Sequence, residues 1–207
     1  MKNADFAKFV VLVNGAVPLS LLLWDAANHQ LGANPTDFAI KTTGMLTLIF
    51  LIVSLAVTPL RLVTGRNYFS NFRRMLGLYA FFYGVLHLST YFIFDRSLSL
   101  SGTFADTLAR PFIFFGMSAL LLMVPLAVTS TNASIKRLGA ARWKRLHQLV
   151  YLSAILGVLH YYSLVKADIR KPVAFGIALA LLLLYRVAVK YFPALKYRKP
   201  APVPKPA

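Results

Sequence analysis

Apolar residues in this chain come in long blocks, and polar residues gather in the short stretches between them. An amphipathic helix of a soluble domain would show polar positions returning every three or four residues, and these blocks do not. Six of them approach or exceed the roughly 20 residues that a helix needs to cross the hydrocarbon core of a bilayer. They run from about Lys8 to Trp24, Ala39 to Leu60, Met75 to Phe94, Leu108 to Val128, Leu146 to Val165 and Pro172 to Phe192. The pattern predicts an all-α integral membrane protein, a six-transmembrane-helix bundle spanning residues 1–192. Pro18 and Pro125 fall inside blocks and are expected to bend their helices, which neighbours in a bundle can accommodate. Lys2 and Lys8 precede the first block as they would in a signal peptide. The following "DAANHQLG" is a poor cleavage site, so the first helix is expected to be retained.

Composition agrees: of 207 residues, 58% are hydrophobic and only 14% charged. A formal net charge of +17 raises the question of nucleic acid. The cations sit at the ends of the blocks, however, and that placement reads as a topology signal. Arg61, Arg66, Arg73 and Arg74 lie between the second and third blocks, and Lys136, Arg137, Arg142, Lys144 and Arg145 between the fourth and fifth. The C-terminal end adds Arg186, Lys190, Lys196, Arg198, Lys199 and Lys205. The opposite loops are poorer in cations, with Lys166, Arg170 and Lys171 weakening the contrast. The bias predicts that both termini are cytoplasmic and that the third and fifth helices run from inside to outside. The end of the chain, residues 193–207 within "ALKYRKPAPVPKPA", reads as a disordered basic Pro-rich cytoplasmic tail. No internal repeat and no soluble module is expected.

The chain has no cysteine, which excludes disulfides, thiolate iron–sulfur ligation and cysteine nucleophiles. Histidine carries the chemistry instead. His87 lies thirteen residues past Arg74 and His160 fifteen past Arg145, so each sits roughly 20 Å above the basic surface at 1.5 Å per residue. Two parallel helices then present an imidazole at one depth, as needed to grip a haem iron from both faces. The competing account is a hydrogen bond from each imidazole to a neighbouring helix, or a proton path. His147 lies thirteen residues before His160, roughly 20 Å lower, with its side chain about 140° away on an ideal helix. The matching depth on the third helix holds Met75, Leu76 and Gly77, with no second histidine. His147 is therefore open to a second haem with an unusual partner ligand, to a quinone or flavin, to a haem propionate, or to plain solvation. His29, in "DAANHQLGANPTD", reads as an exposed loop residue. Arg73, Arg74, Arg142 and Arg145 cluster at the basic edge as headgroup anchors, with one or two suited to propionates or a flavin phosphate. The aromatics around His87 and His160 read as packing.

At these residues a resemblance emerges. "TPLRL" at 58–62, "RRMLGLYAFFYGVLHLSTY" at 73–91, "ARPF" at 109–112, "AVTSTNASIKRLG" at 127–139 and "WKRLHQLVYLSAILGVLHYY" at 143–162 resemble the MsrQ (YedZ) family. These are haem-binding membrane subunits of periplasmic methionine sulfoxide reductase systems. They fall in the ferric-reductase-like transmembrane group, which also includes the membrane halves of NADPH oxidases. The gap between Gly139 and Trp143 looks one residue longer than the family's, a loop difference that touches no ligand. The resemblance implies a multi-pass protein of the bacterial inner membrane holding b-type haem, one or two copies, with flavin mononucleotide (FMN) as a possible second group. The family's membrane histidines fall on His87, His147 and His160. Electrons would pass from the quinone pool, or from a flavin reductase, to a periplasmic molybdoenzyme, MsrP, in a heterodimer. The chain itself would be an electron-transfer subunit and not the catalyst. Only about fifteen residues follow the last block and no Gly-rich nucleotide loop appears, so oxidation of NADPH by this chain is not expected. Two rivals stand beside this reading: a transporter or proton channel using buried histidines, whose marks would be inverted repeats and broken helices, and a stand-alone ferric reductase.

Overall fold

A computed structural model describes residues 3–192. The described residues form nine α-helices and no strand: α1 (Asn3–Ala27), α2 (Pro35–Thr64), α3 (Ser70–Thr90), α4 (Leu100–Ala109), α5 (Pro111–Val128), α6 (Asn132–Leu138), α7 (Ala140–Leu146), α8 (Leu149–Leu164) and α9 (Arg170–Tyr191). A short 3₁₀ turn leads into α3, and a π-turn at Tyr91–Asp95 carries it onward. The expected tail, 193–207, lies outside the described residues.

Five of these helical stretches are long and apolar enough to cross a membrane: Phe6–Ala27, Pro35–Thr64, Asn67–Asp95, Pro111–Val128 and Arg170–Tyr191. Their outward faces are as apolar as their contacts, with Leu23, Leu121, Leu181 and Leu184 each 60–63% exposed. A surface of this kind belongs in lipid, where backbone groups are satisfied within each helix. The interior is a small cluster of Leu51, Leu55, Ala80, Met123, Ala154 and Leu179, drawn from α2, α3, α5, α8 and α9.

Of the boundaries that depart from the sequence pattern, three have a clear local reason. The fourth block starts at Pro111 and not at Leu108, because a residue before proline is driven out of the helical region. Arg110 is accordingly extended, at φ −118° and ψ 108°, and separates α5 from the ten-residue α4. The fifth block, expected as Leu146 to Val165, breaks at His147–Gln148, leaving α8 with sixteen residues. That helix is about 24 Å long and falls short of a full hydrocarbon thickness of about 30 Å. The second block runs on to Thr64 through Pro59 and closes on Gly65, whose φ of 67° glycine adopts without strain.

Pro59 has no N–H to offer the carbonyl of Leu55 one turn back. Arg186 of α9 fills the gap: its Nη2 donates to Leu55 O at 2.6 Å and its Nη1 to the Tyr151 hydroxyl at 2.9 Å. Arg186 is thus a pin between α9, α2 and α8, where the charge pattern had counted it among the topology cations. Its Nε is buried without a partner. On the other flank, wholly buried Tyr83 of α3 donates to Gly15 O of α1 at 2.8 Å, and Tyr79 donates to Leu12 O.

The contacts overturn the expectation of no internal repeat. α2 packs along α3, and α5 along α8, far more extensively than any other pairs. The two pairs carry the same words in the same order: GMLTL at 44–48 and GMSAL at 116–120, LAVT at 55–58 and at 126–129, GVLH at 84–87 and at 157–160. Glycines one turn before each histidine contact the other pair reciprocally. A Cβ at Gly84 would lie 3.0 Å from Leu120 of α5, and one at Gly157 would lie 3.1 Å from Leu48 of α2. Small residues at such crossings let helices approach closely where the solvent is lipid. The repeat is parallel. Arg74 lies beside Asn132 near the His147 end of α8, while His87 lies beside His160, so α3 and α8 climb together.

Candidate functional site

His87 and His160 meet between the two pairs. Their ring centroids are 6.0 Å apart, with planes inclined at 78°. Two imidazoles that share a metal ion through bonds of about 2 Å on opposite sides leave their ring centres about 6 Å apart. The spacing therefore fits a metal between them.

Hydrogen bonding fixes which nitrogen is free. His87 Nδ1 is 2.9 Å from Ile40 O, and His160 Nδ1 is 2.6 Å from Phe112 O. A carbonyl can only accept, so Nδ1 carries the hydrogen in both rings and, in the neutral ring, the lone pair lies on Nε2. Metal-ligating histidines are commonly held in this way, the N–H on the far side pinned to a backbone oxygen. The hydrogen-bond account of these residues is thus also present, and it prepares ligation instead of competing with it.

The two arrangements are copies. Ile40 precedes Gly44 by one turn on α2, and Phe112 precedes Gly116 by one turn on α5. Each glycine leaves the space in which the imidazole lies: a Cβ at Gly44 would sit 3.0 Å from His87 Nδ1, and one at Gly116 only 2.8 Å from His160 Nδ1. Neither glycine nor carbonyl was singled out from the sequence. The repeated words GM and GVLH, spaced alike, were the available signal.

One turn beyond the histidines lies a polar knot. Tyr91 donates to Asp106 at 2.6 Å, Arg96 Nε donates to the Tyr91 hydroxyl at 2.8 Å, and both Arg96 and Arg110 pair with Asp106. Tyr91 is four residues past His87 and Arg110 two before Phe112, so the knot closes the site on the cation-poor side. Arg96 also pairs with Asp95.

His147 occupies a different setting. The helix breaks at 147–148, and His147 has partners quite different from those of His160. Trp143 stacks on the ring, with centroids 3.8 Å apart and planes at 27°. The Thr129 hydroxyl is 2.6 Å from Pro125 O and 3.1 Å from His147 Nε2. Its one hydrogen goes to the carbonyl, so Thr129 Oγ1 accepts from Nε2–H and the lone pair of His147 falls on Nδ1. This is the reverse of the outer pair.

A cavity of about 210 Å³ opens beside it, lined among others by Arg73, Arg74, Trp143, His147, Ser54 and Phe81. Arg74 Nη1 donates to Asn132 at 2.9 Å. Arg142 and Arg145 are exposed and are not part of that lining. No second imidazole stands beside His147: Arg74 occupies the equivalent place in the first half of the repeat, 73 residues earlier. His29 is exposed in its loop, at φ 56°, as expected.

The family described as "Ferric reductase like transmembrane component" matches residues 42–158, which take in all of α3 and α5 and most of α2 and α8. A protein of Rhodospirillum rubrum, described as the protein-methionine-sulfoxide reductase heme-binding subunit MsrQ, is 46% identical over 99% of this chain and 97% of its own. Proteins of the same description from Herminiimonas arsenicoxydans and Deinococcus radiodurans are 45% and 46% identical, over 87% and 86% of this chain and 84% and 87% of theirs. No solved structure matches. The chain belongs to the ferric-reductase-like transmembrane family and, within it, to the MsrQ family.

Proposed function

We propose that this chain is a haem b electron-transfer subunit of the bacterial inner membrane, with His87 and His160 as the residues that would hold the iron of one haem. The single observation that carries this is the imidazole pair, 6.0 Å apart, with both Nδ1 atoms tied to carbonyls and both Nε2 atoms free. The relatives' description as heme-binding subunits supports the same assignment. Bound there, haem supplies a one-electron carrier. The residues of the chain hold it in place: the imidazoles bind, the Ile40 and Phe112 carbonyls orient them, and the polar knot at Asp106 covers the outer edge.

In this reading all six long apolar helices span, α8 included, with the His147 turn and α7 completing its passage at the basic face. The cation bias places both termini in the cytoplasm and the His87–His160 pair toward the periplasm. Residues 1–192 form the membrane domain. The inner cavity receives the reducing partner, a quinone ring or the ring of FMN, against His147 and Trp143, with Arg73 and Arg74 taking up negative charge. A second haem fits the inner donor set less well, since one imidazole faces a guanidinium there. Electrons leave on the outer side to a docked periplasmic methionine sulfoxide reductase, the molybdoenzyme MsrP.

A dithionite-reduced minus oxidised spectrum of the purified chain, with pyridine haemochrome quantification, tests the reading. Sharp α and β bands at about one b-type haem per chain are expected. A colourless protein from haem-replete cells overturns it in favour of a transporter.

A further inference from the structure

The two imidazoles reach helix carbonyls that already serve their own helix. In an α-helix the carbonyl of residue i accepts from the N–H of residue i+4. Its second lone pair is screened by side chains of the following turn, which lean back over the preceding one. At both sites the residue one turn on is glycine: Gly44 after Ile40, and Gly116 after Phe112. Van der Waals contact would place a side-chain carbon about 3.5 Å from its neighbours at least. An alanine Cβ would stand 3.0 Å from His87 Nδ1 and Cε1, and 2.8 Å from His160 Nδ1. Either the ring moves or its hydrogen bond lengthens. The device occurs once in each half of the repeat, with the same spacing and the same acceptor atom type. Chance helix packing would not copy it.

We infer that Gly44 and Gly116 are positioning residues that set the strength of the Nδ1–H···O=C bonds and, through them, the electron donation of Nε2 to the haem iron. This rests on the ligand assignment proposed above. A firm hydrogen bond at Nδ1 enriches the imidazole and makes Nε2 a stronger donor. Stronger donation favours the ferric state and lowers the potential. The glycines act through the histidines and touch no reacting atom.

The test uses the full chain in nanodiscs and four variants. Gly44→Ala and Gly116→Ala probe the device. Gly84→Ala and Gly157→Ala are controls, because the only close approaches of their added Cβ atoms are to the flexible ends of Leu120 and Leu48, at 3.0 and 3.1 Å, with Thr47 in ordinary contact with Gly84 at 3.5 Å. The readouts are the midpoint potential by spectroelectrochemical titration, the low-spin ferric EPR signal, and haem per chain. Gly116→Ala should shift the midpoint positive and alter the EPR anisotropy, Gly44→Ala should do so less, and the controls should stay at the wild-type values. Loss of haem from Gly116→Ala that still shows full helical circular dichroism, with Gly157→Ala retaining haem, also supports the inference. If Gly116→Ala does not accumulate, Gly44→Ala, where smaller adjustment suffices, carries the measurement. Unchanged potential and EPR in the probe variants, or equal changes in probes and controls, overturn it. Wild-type protein without haem overturns the ligand assignment itself, a result distinct from both.

Discussion

The outer and inner layers of the bundle are built from the same repeat, yet only the outer layer obeys it. At the level of His87 and His160 both halves offer an imidazole, a carbonyl and a glycine in matching places, and the rings face each other 6.0 Å apart. One helical span lower, the first half offers Arg74 where the second offers His147, and the imidazole is turned the other way, with Nε2 given to Thr129. The difference teaches that the outer layer offers matching donors from both halves, which suits the symmetric ligand proposed above. The inner layer offers unlike groups, with Trp143 stacked on His147 and with Arg73 and Arg74 in the cavity lining, which suits the asymmetric partner proposed there.

The largest expected effect breaks the symmetric layer. His87→Ala or His160→Ala should each remove the reduced α and β bands almost completely, since one remaining imidazole cannot hold a six-coordinate low-spin iron. Absorption spectra of the two variants decide it, and full retention in both would cancel the ligand assignment. Either variant should remain helical by circular dichroism, because both histidines bond only to a neighbouring carbonyl in the absence of iron.

The inner layer should answer differently. His147→Ala and Arg74→Ala should leave the outer bands within a few per cent of wild type while slowing reduction of the haem by a quinol analogue at least tenfold. A loss of about 1.4 kcal/mol in binding the reductant would suffice. Stopped-flow reduction measures it. Outer bands abolished in His147→Ala would mean that the two layers share one group, and the contrast drawn here would fail.

Much of this was legible in the letters, and the failures have physical causes. Block length gave five of the six expected spans because lipid demands continuous apolar helix, and depth counted from the basic anchors paired His87 with His160 because helical rise is fixed. Boundaries went astray where one residue overrode the block: Pro111 by excluding Arg110 from the helix, and the turn at His147–Gln148 by dividing α7 from α8. The repeat escaped notice because its words are four or five letters long, separated by 6 and 25 residues in the first half and by 5 and 27 unlike residues in the second. Only contacts such as Gly84 to Leu120 and Gly157 to Leu48 make them one pattern. Arg186 was misread for another reason, since a cation near a helix end says nothing of the carbonyl that a proline on a different helix has set free.

That arginine offers a third test, smaller in effect. Arg186→Met should destabilise the bundle by about 1–3 kcal/mol, the cost of a carbonyl and a hydroxyl left without partners. Pro59→Ala restores an N–H within reach of the Leu55 carbonyl, so in the Pro59→Ala background the same change should cost markedly less. Thermal unfolding in detergent across the four proteins gives the coupling. Strict additivity would show that the Arg186 contact to Leu55 does not depend on the proline.

The smallest effect sharpens the comparison between the two halves. Ser153 of α8 is wholly buried and donates to Ala119 O of α5 at 2.9 Å. Its counterpart 73 residues earlier is Ala80 of α3, equally buried and apolar. Ser153→Ala therefore makes the second half resemble the first. Interhelical hydrogen bonds within membranes average only about 0.6 kcal/mol, so the variant should lose no more than that in stability. Its haem bands and midpoint potential should stay at wild-type values, because two turns of α8 separate Ser153 from His160. A shift in potential as large as that expected of Gly116→Ala would mean that the α5–α8 packing as a whole, and not the glycine–carbonyl contact, governs the imidazole.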